Sequence, residues 1–204
     1  MELQQLLEAR ISVNNFDPAG EISREQLEAI LKAATSAPSA YNLQHWHFLA
    51  VTDKDRKLAL KQAAFNQQKI EDASAAVVVL GDLDAYKKAG LIADDLSAKG
   101  YLPEAYKDNL INTLHGAYGN ESTQREEAIR ASSFAAMTLM LAAKDNGFGT
   151  CPMTGFSPDA VREAFNIPAN LFPVLIVTIG KELEETRPQK FRHSVAEVTT
   201  FNGF

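Results

Sequence analysis

The sequence predicts an α+β fold in which helices surround a mixed sheet. Three short runs of β-formers and one long stretch that is apolar almost all round carry the prediction. The 204 residues show no internal repeat, low-complexity tract or Gly/Ser linker, so residues 1–204 are read as one domain.

In chain order, Leu3, Leu6, Leu7 and Arg10 recur at helical spacing and predict an amphipathic helix over 2–10. Ser23-Arg24-Glu25-Gln26 reads as a capping box, followed by the buried stripe Leu27, Ile30, Leu31 and Ala34. Pro38 ends that helix around Ser36–Ala37, because it lacks an amide hydrogen and disfavours helical geometry in the residue before it. Residues 37–42 form a loop. Trp46–Thr52 is rich in β-formers and predicts a strand, and helical composition returns over Asp53–Ala64. Ala75–Leu80 is apolar on both faces, as a strand covered from both sides must be.

Residues 84–122 read as a variable helical excursion, with Pro103 suited to a first helical turn and a loop over His115–Asn120. Residues 123–146 predict a long central helix buried all round and stopped by Asn146-Gly147. Ser157-Pro158-Asp159 opens a short helix, and Phe172–Gly180 is the third strand. The last segment, 181–204, is an extended polar tail whose Phe201 and Phe204 are read as docking on a second subunit.

Twenty basic residues against twenty-six acidic ones leave a net charge of −6. That balance argues against a protein that coats nucleic acid or an anionic membrane, so any basic site is local. The single cysteine, Cys151, excludes an internal disulfide and favours a reducing compartment, read as the cytoplasm. The N-terminal residues match neither a secretory signal nor a transit peptide. The longest nearly apolar run, Phe134–Ala143, is about half of the ~20 residues a bilayer core demands.

Most conventional chemistries fail on residue supply. Gly147-Phe148-Gly149 lacks the third glycine of a dinucleotide fingerprint and follows a helix rather than a strand. His45 and His47 would lie on one face of a strand and could hold a metal, but they lack a third ligand nearby and are read as ordinary hydrogen-bonded histidines. Cys151 is read as a buried small hydrophobe rather than a nucleophile.

Four scattered segments fare better as a set: Arg10-Ile-Ser12-Val-Asn14-Asn-Phe16, Ala37-Pro38-Ser39-Ala-Tyr-Asn42-Leu-Gln44, Asn66-Gln-Gln-Lys69 with Asp72-Ala-Ser74, and Cys151-Pro152-Met153-Thr154-Gly155-Phe156. In order and spacing they resemble the signature blocks of the FMN-dependent nitroreductase family. The resemblance runs from about residue 3 into the final tail and is weakest over 84–122. It implies a central, mainly antiparallel sheet, a homodimer with exchanged C-terminal tails, FMN as tightly bound cofactor and NAD(P)H as transient reductant. The implied reaction passes hydride through flavin N5 to a small flat nitroaromatic or quinone-like acceptor in ping-pong order, with no nucleic acid or membrane partner. Reductive dehalogenation, flavin cleavage or a non-catalytic FMN-binding role on the same fold stay open as alternatives.

Site residues follow from the same resemblance, and elementary chemistry agrees with them. A flavin mononucleotide carries a dianionic phosphate, for which Arg10 and Arg192, with Ser12 and Lys190, supply donors. Asn66 and Lys69 stand three apart, a spacing that on a helical turn points both the same way. An amide pairs with the edge of the flavin pyrimidine ring, and an ammonium stabilises the anionic reduced ring; taken singly, Asn66 reads as a helix cap and Lys69 as a surface charge. Pro152, Met153, Thr154 and Gly155 are read as a tight turn that brings backbone close to the ring. No side chain is assigned as catalytic; Lys69 and the backbone of Thr154 and Gly155 assist.

Pro38, Ser39, Asn42 and Gln44 belong to the block that encloses the cofactor across the dimer interface in relatives, though as loop residues they also satisfy backbone groups. Three positions depart from the family pattern. Asn14, placed in the cofactor-binding set, stands where a basic residue is common; His45 replaces a proline; and Met153-Thr154 stands where an acidic residue is usual. Phe134 and Tyr118 read as wall or core.

Overall fold

The computed structural model describes residues 1–183 and 189–204. Helix α1 (Leu3–Ala9) and α2 (Arg24–Ala34) precede strand β1 (Trp46–Val51), then come α3 (Lys54–Ala63), the single turn α4 (Lys69–Asp72) and β2 (Ala75–Asp82). Helices α5 (Ala89–Ala98), α6 (Lys107–Ala117) and α7 (Glu121–Asp145) lead to β3 (Gly149–Met153), α8 (Pro158–Phe165), β4 (Leu171–Gly180) and the short α9 (Val195–Val198). The four strands form one sheet in the order β1-β2-β4-β3, every neighbour antiparallel. Parallel pairing among the described residues is limited to an isolated bridge, Ser12 to Thr150.

Strand β2 is buried along its whole length, which explains why its sequence does not alternate. Its even residues Ala76, Val78 and Leu80 pack with Leu60, Ile70, Val161 and Phe16. Its odd residues Ala75, Val77 and Val79 pack with Leu27 and Ile30 of α2 and with Leu139 and Ala143 of α7. Each large side chain so covered contributes about 1.5–3 kcal/mol relative to exposure. The capping box at Ser23 and the caps by Asp53, Asn120 and Ser157 start α2, α3, α7 and α8 where free backbone amides need acceptors.

Several expectations are corrected. Of the turn read over Pro152–Gly155, Pro152 and Met153 instead end strand β3 (Gly149–Met153); the edge position tolerates Pro152, which has no ladder donor. The loop read over 115–120 shrinks to Tyr118–Asn120, because α6 runs through Ala117; Tyr118 is buried and Asn120 caps α7. Helix α7 is buried on one side rather than all round, since Phe134 and Met137 stay 46% and 37% exposed. The amphipathic α1 buries no residue within this chain. Of the tail, residues 184–188 lie outside the described residues.

The buried side of α7 is lined largely with alanines, which lets the helix approach the sheet closely. At Gly81 an added methyl would meet Ala128 Cβ at 2.9 Å, whereas at Gly90 of α5 nothing lies within 4 Å. Gly81→Ala therefore destabilises by about 1–3 kcal/mol through overpacking, while Gly90→Ala stabilises by about 0.5–1 kcal/mol through backbone entropy. Urea midpoints of the two variants check the contrast; equal shifts would refute the close approach.

Candidate functional site

At the free edge of β3, the segment after α1 runs alongside the strand. Ser12 bridges Thr150, and the Val13 amide donates to the Thr150 carbonyl at 2.9 Å. This leaves Arg10 half-buried at the end of α1, with Ser12 and Asn14 exposed. From the opposite side comes the turn before α4. Phe65 and Asn66 are both left-handed, with φ of 54° and 57°, and the Asn66 amide donates to Lys61 at 2.9 Å. Asn66 thus precedes the helical turn that Lys69 opens, and the expected shared turn is corrected; asparagine suits this backbone because it tolerates the left-handed region.

Hydrogen bonds tie the three segments together. Lys69 Nζ donates to Asn14 Oδ1 at 2.9 Å and lies 3.5 Å from Cys151 Sγ. Gln67 Nε2 donates to the Gly155 carbonyl at 2.7 Å, and the Ser157 amide to Ala63 at 2.9 Å. Pro152 and Met153 end β3; the Met153 side chain faces the core, so of the expected four only Pro152, Thr154 and Gly155 reach the surface. Cys151 is buried with Met153 in that same core, as a small hydrophobe would be.

The tail docks on α1 through a residue that sequence reasoning passed over. Gln189 Nε2 donates to the Leu7 and Glu8 carbonyls at 2.7 and 2.9 Å, which brings the neighbouring Lys190 to the end of α1 that also carries Arg10. Arg192 is exposed and donates to the carbonyls of Lys190 and Phe191, both at 3.0 Å. Gln67 likewise carries no role in the sequence reading, and Cys151, read as a buried small hydrophobe, also meets Lys69.

Pro38, Ser39, Asn42 and Gln44 do not join the cluster within one chain. Their loop feeds β1 where Trp46 pairs with Gly81, while Thr150 pairs with Ile179, which pairs with Ala75. Six residue steps of β2, about 20 Å, separate the two ends. The loop is rigidified by its own groups: Ser39 Oγ accepts from the Gln44 amide at 2.9 Å, and Gln44 Nε2 donates to the Asn42 carbonyl at 3.1 Å. Tyr41, Asn42 and Gln44 all hold positive φ, at 53°, 56° and 51°, a strain that persists only under a local constraint.

His45 and His47 share no site. His47 is exposed, whereas His45 is 1% exposed and both its ring nitrogens lack a partner, which corrects the reading of it as hydrogen-bonded. Its ring stacks on Tyr118 at 5.7 Å, and Tyr118 continues the stack to Tyr86 at 5.8 Å, both within the excursion's own small core. A separate cleft of about 410 Å³ is lined by Asp84, Glu121, Arg125 and Asn170 and contains none of the expected residues. Among the described residues no three His, Cys, Asp or Glu side chains group as a metal site, and no helix is long and apolar enough to cross a membrane.

The clustered segments at both ends of the chain agree with a family model for the "Nitroreductase family", which matches residues 7–181. The chain belongs to the nitroreductase family. It is 38% identical to the "Putative NAD(P)H nitroreductase YodC" of Bacillus subtilis, over 96% of each chain. Among solved structures, the "putative nitroreductase ydfN" from Bacillus subtilis superposes with a TM-score of 0.93 at 38% identity, covering 98% of both chains. A "putative nitroreductase in complex with FMN" from Exiguobacterium sibiricum superposes with a TM-score of 0.89 at 30% identity, covering 99% of this chain and 98% of that one. The α+β nitroreductase fold is thereby shown for this family member.

Burial pushes the His45 imidazole down from 6.5 to about 4, with the Asp82 carboxylate opposing the shift. The unfolded chain takes up this proton near pH 6.5 while the folded chain resists until about 4, so stability falls as pH drops through that window. The loss attributable to His45 amounts to about 3 kcal/mol. His45→Phe, which keeps the ring against Tyr118, should flatten the decline in urea midpoint between those pH values; an unchanged slope would remove His45 as its source.

Proposed function

We propose that this nitroreductase-family chain is an FMN-dependent oxidoreductase that uses NAD(P)H to reduce small flat nitroaromatic or quinone-like acceptors. The observation that carries the reading is the convergence of the Arg10–Asn14, Asn66–Lys69 and Cys151–Gly155 segments around Lys69. The donor set there fits the cofactor chemically. Arg10, Ser12, Lys190 and Arg192 offer guanidinium, hydroxyl and ammonium groups of the kind a phosphate dianion takes. Asn66 offers an amide for the ring edge, and Lys69 a cation for its reduced form. At Gly155 the missing side chain keeps the ring's approach open, since a Cβ there would meet only the Gln67 amide, at 3.4 Å.

When bound, FMN would supply the redox chemistry that carries hydride from NAD(P)H to the acceptor in ping-pong order. The chain's own residues bind and orient. Arg10 and the tail cations would neutralise the phosphate, Gln67 fixes the Gly155 peptide, and Lys69 would supply positive charge to the ring. Pro152, Thr154 and Gly155 present a small-residue surface to it, with Met153 anchoring them from the core. No side chain is needed as nucleophile or metal ligand. Cytoplasmic work suits a chain whose one cysteine is free.

We assign Pro38, Ser39, Asn42 and Gln44 to the site of a second copy in a homodimer. In support, α1 leaves Leu3 and Leu7 uncovered, α7 leaves Phe134 and Met137 uncovered, and the tail exposes Phe191, Val195, Val198, Phe201 and Phe204. So much apolar surface is unusual on a lone chain and marks an association face. An exchanged tail would cover α1 and α7 while bringing the strained loop of one copy to the Lys69 cluster of the other.

Purified protein should be yellow and release one FMN per chain on denaturation, and anaerobic NADH or NADPH should bleach it. Arg10→Ala should weaken FMN binding tenfold or more, the scale of one charge-assisted hydrogen bond. Colourless protein that takes up no added FMN would end this reading. For the dimer, Phe134→Asp should raise the dissociation constant at least tenfold by sedimentation, and a monomeric wild-type chain would exclude the shared site.

A further inference from the structure

The Lys69 ammonium has three N–H donors and no acceptor. Its anchors come from distant parts of the chain: Asn14, 55 residues away at 2.9 Å, and Cys151, 82 residues away at 3.5 Å. Asn14 sits on the segment bridged to β3 through Ser12, and Cys151 is the β3 residue directly after the bridged Thr150. One piece of backbone pairing therefore fixes both anchors relative to each other. With two protons committed, one remains to point outward.

The chemistry of the anchors matters as much as their position. The Asn14 side chain brings an acceptor without a charge, so it orients the ammonium and leaves its positive field intact. A lysine at 14 would repel Lys69, and an aspartate would cancel it. An unanchored lysine distributes over many rotamers and loses side-chain entropy on being fixed.

We propose that Asn14 is a positioning residue that acts through Lys69 rather than by touching the cofactor. The Asn14–Lys69–Cys151 clamp aims one cationic N–H at the bound flavin and raises its readiness to accept electrons. This rests on the FMN reading above. Reduction adds two electrons and one proton, here from dithionite, and leaves the ring with a negative charge that an aimed ammonium stabilises more than it does the neutral oxidised ring.

The test is the two-electron midpoint potential of the FMN-loaded protein, titrated with dithionite against reference dyes, for wild type, Asn14→Ala, Asn14→Asp, Lys69→Met and the Asn14→Ala/Lys69→Met double variant. Asn14→Ala should lower the ratio of reduced to oxidised flavin about tenfold, a fall of about 30 mV. Asn14→Asp, nearly isosteric and able to keep the hydrogen bond, should lower it at least as far by cancelling charge. In the Lys69→Met background, Asn14→Ala should produce no further fall, because a residue that acts only through Lys69 has nothing left to act on. An unchanged potential in Asn14→Ala, or an equal fall in both backgrounds, overturns the clamp. FMN bound with unmoved potentials defeats this inference alone; failure of the wild-type protein to bind FMN defeats the functional reading itself.

Discussion

Every residue of β2 is buried, and a strand in that position must be covered on both faces while all its backbone groups find partners in the sheet. Most of the remaining architecture answers this constraint. Helices α2 and α7 close one face, and α3, α4 and α8 close the other. Strands β1 and β4 pair with its two edges, and β3 extends the sheet beyond β4. Once α4 is drawn in to bury Ile70, its first residue, Lys69, is delivered to the open side of β3. The candidate site is thus assembled from the connections between covering elements, where backbone ends and polar side chains remain free.

Much of this was legible in the residues. The unbroken apolar run of β2, the capping box at Ser23 and the Ser157-Pro158 start of α8 are local signals whose physics does not depend on distant neighbours. What failed was non-local. Strand β3 exists because β4 and Ser12 supply hydrogen-bond partners on either side, and nothing within Gly149–Met153, with a proline near its end, announces that. Tyr118 is buried because α5, α6 and Leu43 enclose it, so a loop-like run of small and polar residues around it misleads. Helix α7 looked uniformly apolar because composition does not distinguish a face turned to the sheet from a face left for another surface.

The candidate site shows the same division. The residue types were readable from the blocks, and the structure brings three of the four blocks together around Lys69. The fourth, from Pro38 to Gln44, stands at the far end of β2, a separation invisible to a one-dimensional pattern. Beside Lys69, Gln67 ties the Asn66–Lys69 block to the Cys151–Phe156 block and Gln189 ties the tail to α1; the long amide side chains of both carry no distinctive signature until a partner carbonyl is seen.

The lone thiol has a further use that follows from where it sits. Cys151 is 4% exposed and faces the core from an edge strand, so a maleimide or iodoacetamide can reach it only when that edge detaches. Because a single cysteine leaves no competing signal, the rate of its alkylation becomes a clock for opening at the margin of the sheet. Slower labelling in the presence of a bound molecule would register how firmly that molecule latches the two halves of the cluster, without any turnover being measured.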